Sequence, residues 1–355
     1  MWQAELWLSA GLVLGLSLRH VTARILIVGG YGVVGRYLAE RLVGLPVTVA
    51  GRSLAKAEKF ARTLGHVQAR YLDVHYKASL DEALADVQLV VSCAPMDEPT
   101  LLRAAIARGC DYLDIGERTA FLEHARALHG DARAAGVTAV IGMGLMPGIV
   151  NVMARAAVER LGGTERLETA LLLSADDEFG EEALGASPQK SHPIVFPTFG
   201  RRCAQPFAWP DQNFYPQTLG VEKAASFLAL TPPWVLPVLI QLRRLGLSRH
   251  LLTSPLTMSA LKLFRLRQSG SGAFAGVVHA DRDDRRGTLS LTGTNESRAT
   301  ATAAALVVRA LFQKRLVVPG VQLPEEVVLP GPFFQELSQL LSTGGDDGVT
   351  FAWST

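Results

Sequence analysis

The sequence predicts an α/β fold built on a doubly wound parallel sheet, followed by a second, α+β domain. Three observations predict it. Short apolar, β-branched runs alternate with helical periods between residues 24 and 141, and parallel neighbours need crossover connections of that kind. Gly30-Tyr31-Gly32-Val33-Val34-Gly35 follows the first run directly and opens the first helical period, which is the setting of a dinucleotide-binding turn in a Rossmann domain. Beyond residue 148 the alternation stops.

Each element follows from its local pattern. Residues 24–29 read Arg-Ile-Leu-Ile-Val-Gly, an apolar run ending in glycine, as a buried parallel strand requires. Val34, Leu38 and Leu42 then mark a helical face, with Arg36, Glu40 and Arg41 between them. A second strand at 47–50 leads through Gly51 and Arg52 to Ser53, placed as the N-cap of a helix over 54–64. Strands follow at 67–72, 87–92, 112–115 and 137–141, with helical segments at 80–84, 100–108 and 120–135 between them, making six strands in all.

A helix at 149–161 leaves this first domain, and 167–173 reads as a strand. Residues 176–217 show no clear period. Two alternating runs, 273–280 and 287–293, joined by the charged segment 281–286, read as a β-hairpin. A strong helix covers 300–311, and the remainder reads as loop plus a helix around 333–341. The expected organisation is an extension or mis-assigned start at 1–20, a dinucleotide-binding domain at 21–148, an α+β substrate and dimerisation domain at 149–295, and C-terminal helices at 296–355 packing back on both.

Composition narrows the function classes. The chain has 355 residues, 48% hydrophobic and 19% charged, which suits a globular enzyme of two domains of about 150 residues each. A formal charge of +2 offers no electrostatic footprint for nucleic acid. Cys93, Cys110 and Cys203 form no CxxC pair and the histidines form no HExxH, so neither a disulfide framework nor a metal site is expected. Residues 6–18 are apolar but lack a basic start and are too short to span a bilayer, so a cytoplasmic location is expected. Residues 224–242 carry no charge, yet Pro232, Pro233 and Pro237 argue against a membrane span. Two readings of that stretch remain: helices over the substrate domain or a dimer interface, or a membrane-surface element with the arginines and lysines at 243–267.

The chemistry starts at the glycines. Gly30 is expected to permit the tight turn, Gly32 to let backbone approach a pyrophosphate, and Gly35 to let helix and strand pack closely, with Tyr31, Val33 and Val34 completing the loop. Enzymes that use NAD commonly place an acid at the end of the second strand, and here Arg52 and Ser53 stand instead. A guanidinium and a hydroxyl suit a 2′-phosphate, so NADP (NADPH) is the expected cofactor. Asp73 closes the third strand, as an adenine contact or a turn residue. Ser92-Cys93-Ala94-Pro95 closes the fourth strand, where the Cys93, Ala94 and Pro95 backbone is expected to line the nicotinamide ribose. Cys93 itself reads as a small buried hydrophobe.

Four segments together resemble the saccharopine dehydrogenase-like NADP-binding oxidoreductases: Gly29 to Gly35, Ala50-Gly51-Arg52, Cys110-Asp111-Tyr112-Leu113-Asp114, and Gly144 to Asn151. The resemblance covers residues 24 to about 160 well, and the 273–293 hairpin and 300–311 helix more weakly. It implies hydride transfer from NADPH, commonly to an imine formed from a carbonyl compound and an amine. A small-molecule substrate and a homodimer are the expected partners. The resemblance also implies that Met146, Pro147, Gly148 and Asn151 lie on the substrate side, near the nicotinamide. Relatives often carry an acid where this chain has Met146, a departure that opens a second reading, an enoyl or carbonyl reductase of a lipid-like molecule. A third reading is a non-catalytic NADP-binding sensor. The proton donor is open among Glu117, Tyr215 and His279, with Lys190 and His192 as further candidates.

Overall fold

The computed structural model describes residues 24–174, 190–244, 272–342 and 348–354. The extension at 1–20 and the basic residues at 249–267 lie outside the described residues. The first half runs β1 (Arg24–Val28), α1 (Val33–Arg41), β2 (Val47–Gly51), α2 (Leu54–Leu64), β3 (Gln68–Tyr71), α3 (Lys77–Ala83), β4 (Val87–Ser92), α4 (Thr100–Ala107), β5 (Asp111–Asp114), α5 (Thr119–Arg126), α6 (His129–Ala134) and β6 (Thr138–Val140). The strands are parallel because a helix carries the chain back after each one. Ile25, Leu26 and Ile27 are buried on both faces, the reason β1 reads as a continuous apolar run. Ser53 caps α2 as expected, its Oγ accepting the Lys56 N–H.

The sheet order is β13-β6-β5-β4-β1-β2-β3, so it has seven strands and not six. The seventh, β13 (Gly320–Gln322), comes from far along the chain and pairs in parallel with β6. Three residues are too few to show a period, and the sequence reading leaves them as loop. Val321 and the following Leu323 are nevertheless fully buried.

The second sheet contains β7 (Arg166–Ser174), β8 (His192–Phe196), β9 (Gly200–Pro206), β10 (Lys223–Thr231), β11 (Ala273–Arg282), β12 (Arg285–Thr294) and β14 (Val349–Ser354), in the order β14-β12-β11-β7-β10-β9-β8. Only β7 and β10 are parallel neighbours. The helices here are α7 (Ile149–Leu161), α8 (Asp211–Thr218) and α9 (Val235–Arg244), with α10 (Glu296–Phe312), α11 (Pro324–Val327) and α12 (Pro330–Ser342) near the end.

Two expectations are corrected. The uncharged stretch 224–242 is not a set of helices: its first half is β10, deep in the sheet between β7 and β9, and only its second half is α9. A strand with neighbours on both sides and buried Phe227, Leu228, Ala229 and Leu230 has no reason to alternate in polarity. No described helix is long and apolar enough to cross a membrane. The hairpin also has a tighter turn than the charged segment 281–286 suggests. Arg282 pairs with Arg285, leaving two residues in the loop, and Asp283 takes φ 51°.

One apolar core joins the two sheets. It runs from Ile25, Val49 and Val91 through Ile149, Val150 and Val307 to Leu171, Leu228 and Leu291. Helix α10 lies in the middle, with Ala299, Ala301, Ala303, Ala304 and Ala305 all buried. Small side chains round most of its circumference let it pack on α1 on one side and α12 on another. The carboxyl edge of the first sheet therefore faces residues of β7 across α7 and α10.

Candidate functional site

The turn after β1 is built by glycines, each for a separate reason. Gly29 takes φ +76°, and a Cβ there would approach the Ala94 nitrogen and Cys93 carbonyl carbon at 3.1 Å. The left-handed turn thus falls on Gly29, one residue before the expected Gly30. Gly30 is required by packing, since a Cβ would lie 2.6 Å from Val49 Cγ1. Gly35 sits against the Gly29 oxygen and Gly30 Cα, which holds α1 close to the turn. Gly32 is the N-cap of α1, with extended backbone and no side chain capping the helix. The first amides of α1 therefore lack helical acceptors and carry the positive end of its dipole. That cradle, closed to side chains on its inner face, fits a pyrophosphate.

Residues at the end of β2 complete this side. Tyr31 folds across Gly51, and its phenolic oxygen accepts the Ser53 N–H at 3.2 Å. The Arg52 side chain is exposed and makes no hydrogen bond or ion pair among the described residues. Asp73 is engaged in a turn, its Oδ1 accepting the His75 N–H at 3.0 Å while its own N–H donates to Ser79 Oγ. The Cys93 N–H donates to the Val28 oxygen at 2.8 Å, which fixes the 93–95 backbone beside Gly29. Burial, and then the Asp114 charge, push the Cys93 thiol far above its usual range, so it is no thiolate nucleophile at neutral pH.

The ends of β5 and β6 form the next wall. Asp114 is 1% exposed, and its Oδ1 accepts the Gly116 N–H at 2.6 Å. Burial pushes its carboxyl up to about 7. Asp111, in the same segment, ties other elements together: Oδ1 accepts the Thr138 N–H and Oδ2 the Lys314 ammonium. The segment from Gly144 to Asn151 makes a compact turn with a cis Met146–Pro147 bond. The Gly144 N–H donates to the Pro147 oxygen, and Gly148, at φ 131°, packs directly on the Gly144 backbone. Asn151 Oδ1 accepts the Gly148 N–H at 2.9 Å, and its Nδ2 donates to Glu325 Oε2 at 3.0 Å. Thr218 donates to the other Glu325 oxygen at 2.9 Å.

Between these walls and the second sheet lies a cavity of about 130 Å³. Val34, Ile115, Met146, Leu171, Leu173 and Trp209 supply its apolar surface. Glu117, Glu296 and Thr300 supply polar surface, with Thr300 Oγ1 donating to Glu296 Oε1 at 3.3 Å. The phosphate loop, the Met146–Pro147 turn and Glu117 are thus brought to one place, since Val34 of α1 shares the cavity with them.

Other sequence candidates fall elsewhere. His279 lies on the same face of the second sheet as Ala275 and Val277, away from the side on which Leu171 and Leu173 meet the first domain. Its Nδ1 is 2.8 Å from Thr288 Oγ1, and burial lowers its pKa. His192 is bonded to Glu168 at 3.1 Å, also outside the cavity lining, and Lys190 is exposed. Tyr215 is buried, one turn of α8 beyond Asp211, and neither lines the cavity. Asp211 is 1% exposed, and burial pushes it to about 7. Glu325, 2% exposed, is pushed to about 6 for the same reason. Sequence reasoning missed Trp209, Asp114, Asp211 and Glu325. Only Asp114 had a signal, its place at the carboxyl end of a predicted strand.

Residues 25–140 match the sequence model of the saccharopine dehydrogenase NADP binding domain. A curated relative, saccharopine dehydrogenase [NADP(+), L-glutamate-forming] of Schizosaccharomyces pombe, is 32% identical over 119 residues, which are 32% of this chain. The match spans a quarter of that relative's length (25%). The apo structure of saccharopine dehydrogenase (L-Glu forming) from Saccharomyces cerevisiae superposes with a TM-score of 0.60 at 16% identity, covering 94% of this chain and 100% of that one. The two share a fold along nearly all their length.

Proposed function

Because residues 25–140 match the saccharopine dehydrogenase NADP binding domain, we propose that the chain is an NADP-dependent oxidoreductase reducing a C=O or C=N group in the cavity between its two sheets. The observation that carries this reading is the position of that cavity. It opens at the carboxyl edge of the parallel sheet, beside the phosphate loop, where open α/β sheets hold their ligands. The α1 N-terminus and the Gly30–Gly35 turn would hold the pyrophosphate, and Arg52 with Ser53 would hold the 2′-phosphate. Bound NADPH supplies a hydride, and the protein has to orient the acceptor, exclude water and provide a proton. Leu171, Leu173, Met146 and Trp209 exclude water. Glu117, in the cavity wall, is the residue we assign to hold the proton.

Two measurements test the reading. Titration with NADPH should show tight binding, with NADH much weaker. Mixing the NADPH complex with a panel of carbonyl and imine compounds should then bleach the reduced cofactor's absorbance for at least one of them. Failure to bind NADPH sinks the cofactor assignment. Tight binding without turnover on any member of the panel sinks the enzyme assignment and leaves a binding module. In the turnover assay, Glu117→Gln should lower kcat by about 10²-fold or more with NADPH affinity retained.

A further inference from the structure

The two ends of the second sheet differ in charge. At one end β7, β10, β11 and β12 start or finish at Arg166, Lys223, Arg282 and Arg285, beside Glu165 and Glu222. At the other they start or finish at Ser174, Thr231, Ala273 and Thr294, none of them charged. Helix α9 follows Thr231 at this uncharged end and packs on β10. The Trp234 oxygen accepts the Val238 N–H, so these two side chains stand one turn apart on one face, with Gln241 next along it. Trp234 is 54% exposed and Val238 46%, and Pro237 and Gln241 are exposed beside them. Leu236, on the opposite face, is buried. A surface helix ordinarily turns charged side chains to solvent, and this one turns a tryptophan, a valine and a proline. The helix ends in Arg243-Arg244. From Ala224 to Ala280 the sequence holds no Asp or Glu, while Arg243, Arg244, Arg249, Lys262, Arg265 and Arg267 all fall within it.

We propose that the outward face of α9 docks on an anionic lipid surface, with Trp234 and Val238 entering the boundary between headgroups and hydrocarbon. Indole rings favour that boundary, and each arginine or lysine held near an acidic bilayer adds to the attraction. Ten residues make a helix about 15 Å long, against about 30 Å of hydrocarbon, so α9 lies on the surface and does not span it. A second copy of the chain is a poorer occupant. An isologous contact sets the same patch against itself, and here it would bring a basic segment against its own copy with no acid of that segment to offset it. Nucleic acid supplies phosphates but no hydrocarbon for Trp234 and Val238. The proposal makes no use of the cofactor reading and stands or falls separately from it.

The test uses the full chain and its co-sedimentation with vesicles of phosphatidylcholine, made with and without phosphatidylglycerol. The acidic vesicles should bind the protein at least about tenfold more tightly than the neutral ones. Trp234→Ser combined with Val238→Ser should weaken binding to the acidic vesicles about tenfold. The melting temperature should hardly change, since both side chains already face water. Arg243→Glu combined with Arg244→Glu should remove most of the preference for acidic lipid. Absence of binding to the acidic vesicles overturns the proposal, and so does equal binding to both kinds. Unchanged affinity in the folded Trp234→Ser/Val238→Ser protein overturns it too, as does an unchanged preference in the arginine variant. A dimer of the free protein that dissociates in the Trp234→Ser/Val238→Ser variant, read by sedimentation velocity, would assign the face to a second copy and overturn the lipid assignment.

Discussion

Arg52 has no partner of its own among the described residues, while its neighbour Ser53 is held by Tyr31 and caps α2. Arg52→Ala should therefore weaken NADP⁺ binding by tenfold or more and leave NAD⁺ binding nearly unchanged, with no loss of thermal stability. Equal losses for the two cofactors, measured side by side, would remove Arg52 from the 2′-phosphate site. Gly35 makes the opposite case. A methyl group there meets the Gly29 and Gly30 backbone, which cannot move away without opening the β1–α1 turn. Gly35→Ala should lower the melting temperature and cofactor affinity together, and an unchanged melting temperature would contradict the packing argument. Both residues were legible in the sequence, because spacing along the chain defines the turn and the strand end. Trp209 was not. Its meaning depends on Leu171 and Met146 arriving beside it from distant segments, and on burial that no local pattern records.

At the scale of elements, a buried chain of polar groups ties the Met146–Gly148 turn to α7, α8 and α11. Asn151 accepts from Gly148 and donates to Glu325, which also accepts from Thr218. Asn151→Ala strands one donor and one acceptor in the interior and should cost about 2–4 kcal/mol, read as a shift of the urea unfolding midpoint. The same region gives a pH dependence. Asp114 and Asp211 are raised to about 7 and Glu325 to about 6, all chiefly by burial. A folded carboxyl that keeps its proton longer than the unfolded one contributes stability that is complete below the unfolded value. That contribution disappears as pH rises through 6 to 7. His279, lowered by burial, works in the other direction, one group against three. Asp81 and Asp86 are lowered and titrate below this range. The melting temperature should fall between pH 5 and pH 8, and Asp211→Asn should flatten the profile. A slope identical in that variant would show that Asp211 does not titrate there. Strands β1 to β6 were legible because apolar runs with helices between them leave few alternatives. Strands β8, β9 and β14 were not, for they lie at or next to the ends of the second sheet, where neighbours and not sequence period select the strand.

At the scale of the whole molecule, the boundary expected at residue 148 does not separate two cores. Val91 and Leu38 share a cluster with Val307, Leu311 and Leu291, and α10 packs on α1 and β4. A fragment of residues 21–148 should therefore express as an aggregating or molten chain with exposed apolar surface, read by dye binding and loss of a cooperative thermal transition. A soluble fragment with a sharp transition would show that the first domain stands without its C-terminal cover. The strand β13 extends this dependence into the order of synthesis. The edge beside β6 has its partner only once Gly320–Gln322 has left the ribosome, after the segments that form the whole of β7 to β12. The early part of the chain thus waits, with one sheet edge and one helix face uncovered, for nearly everything that follows. The parallel sheet is thus begun before the second sheet and completed only by a strand that follows β12 in the chain.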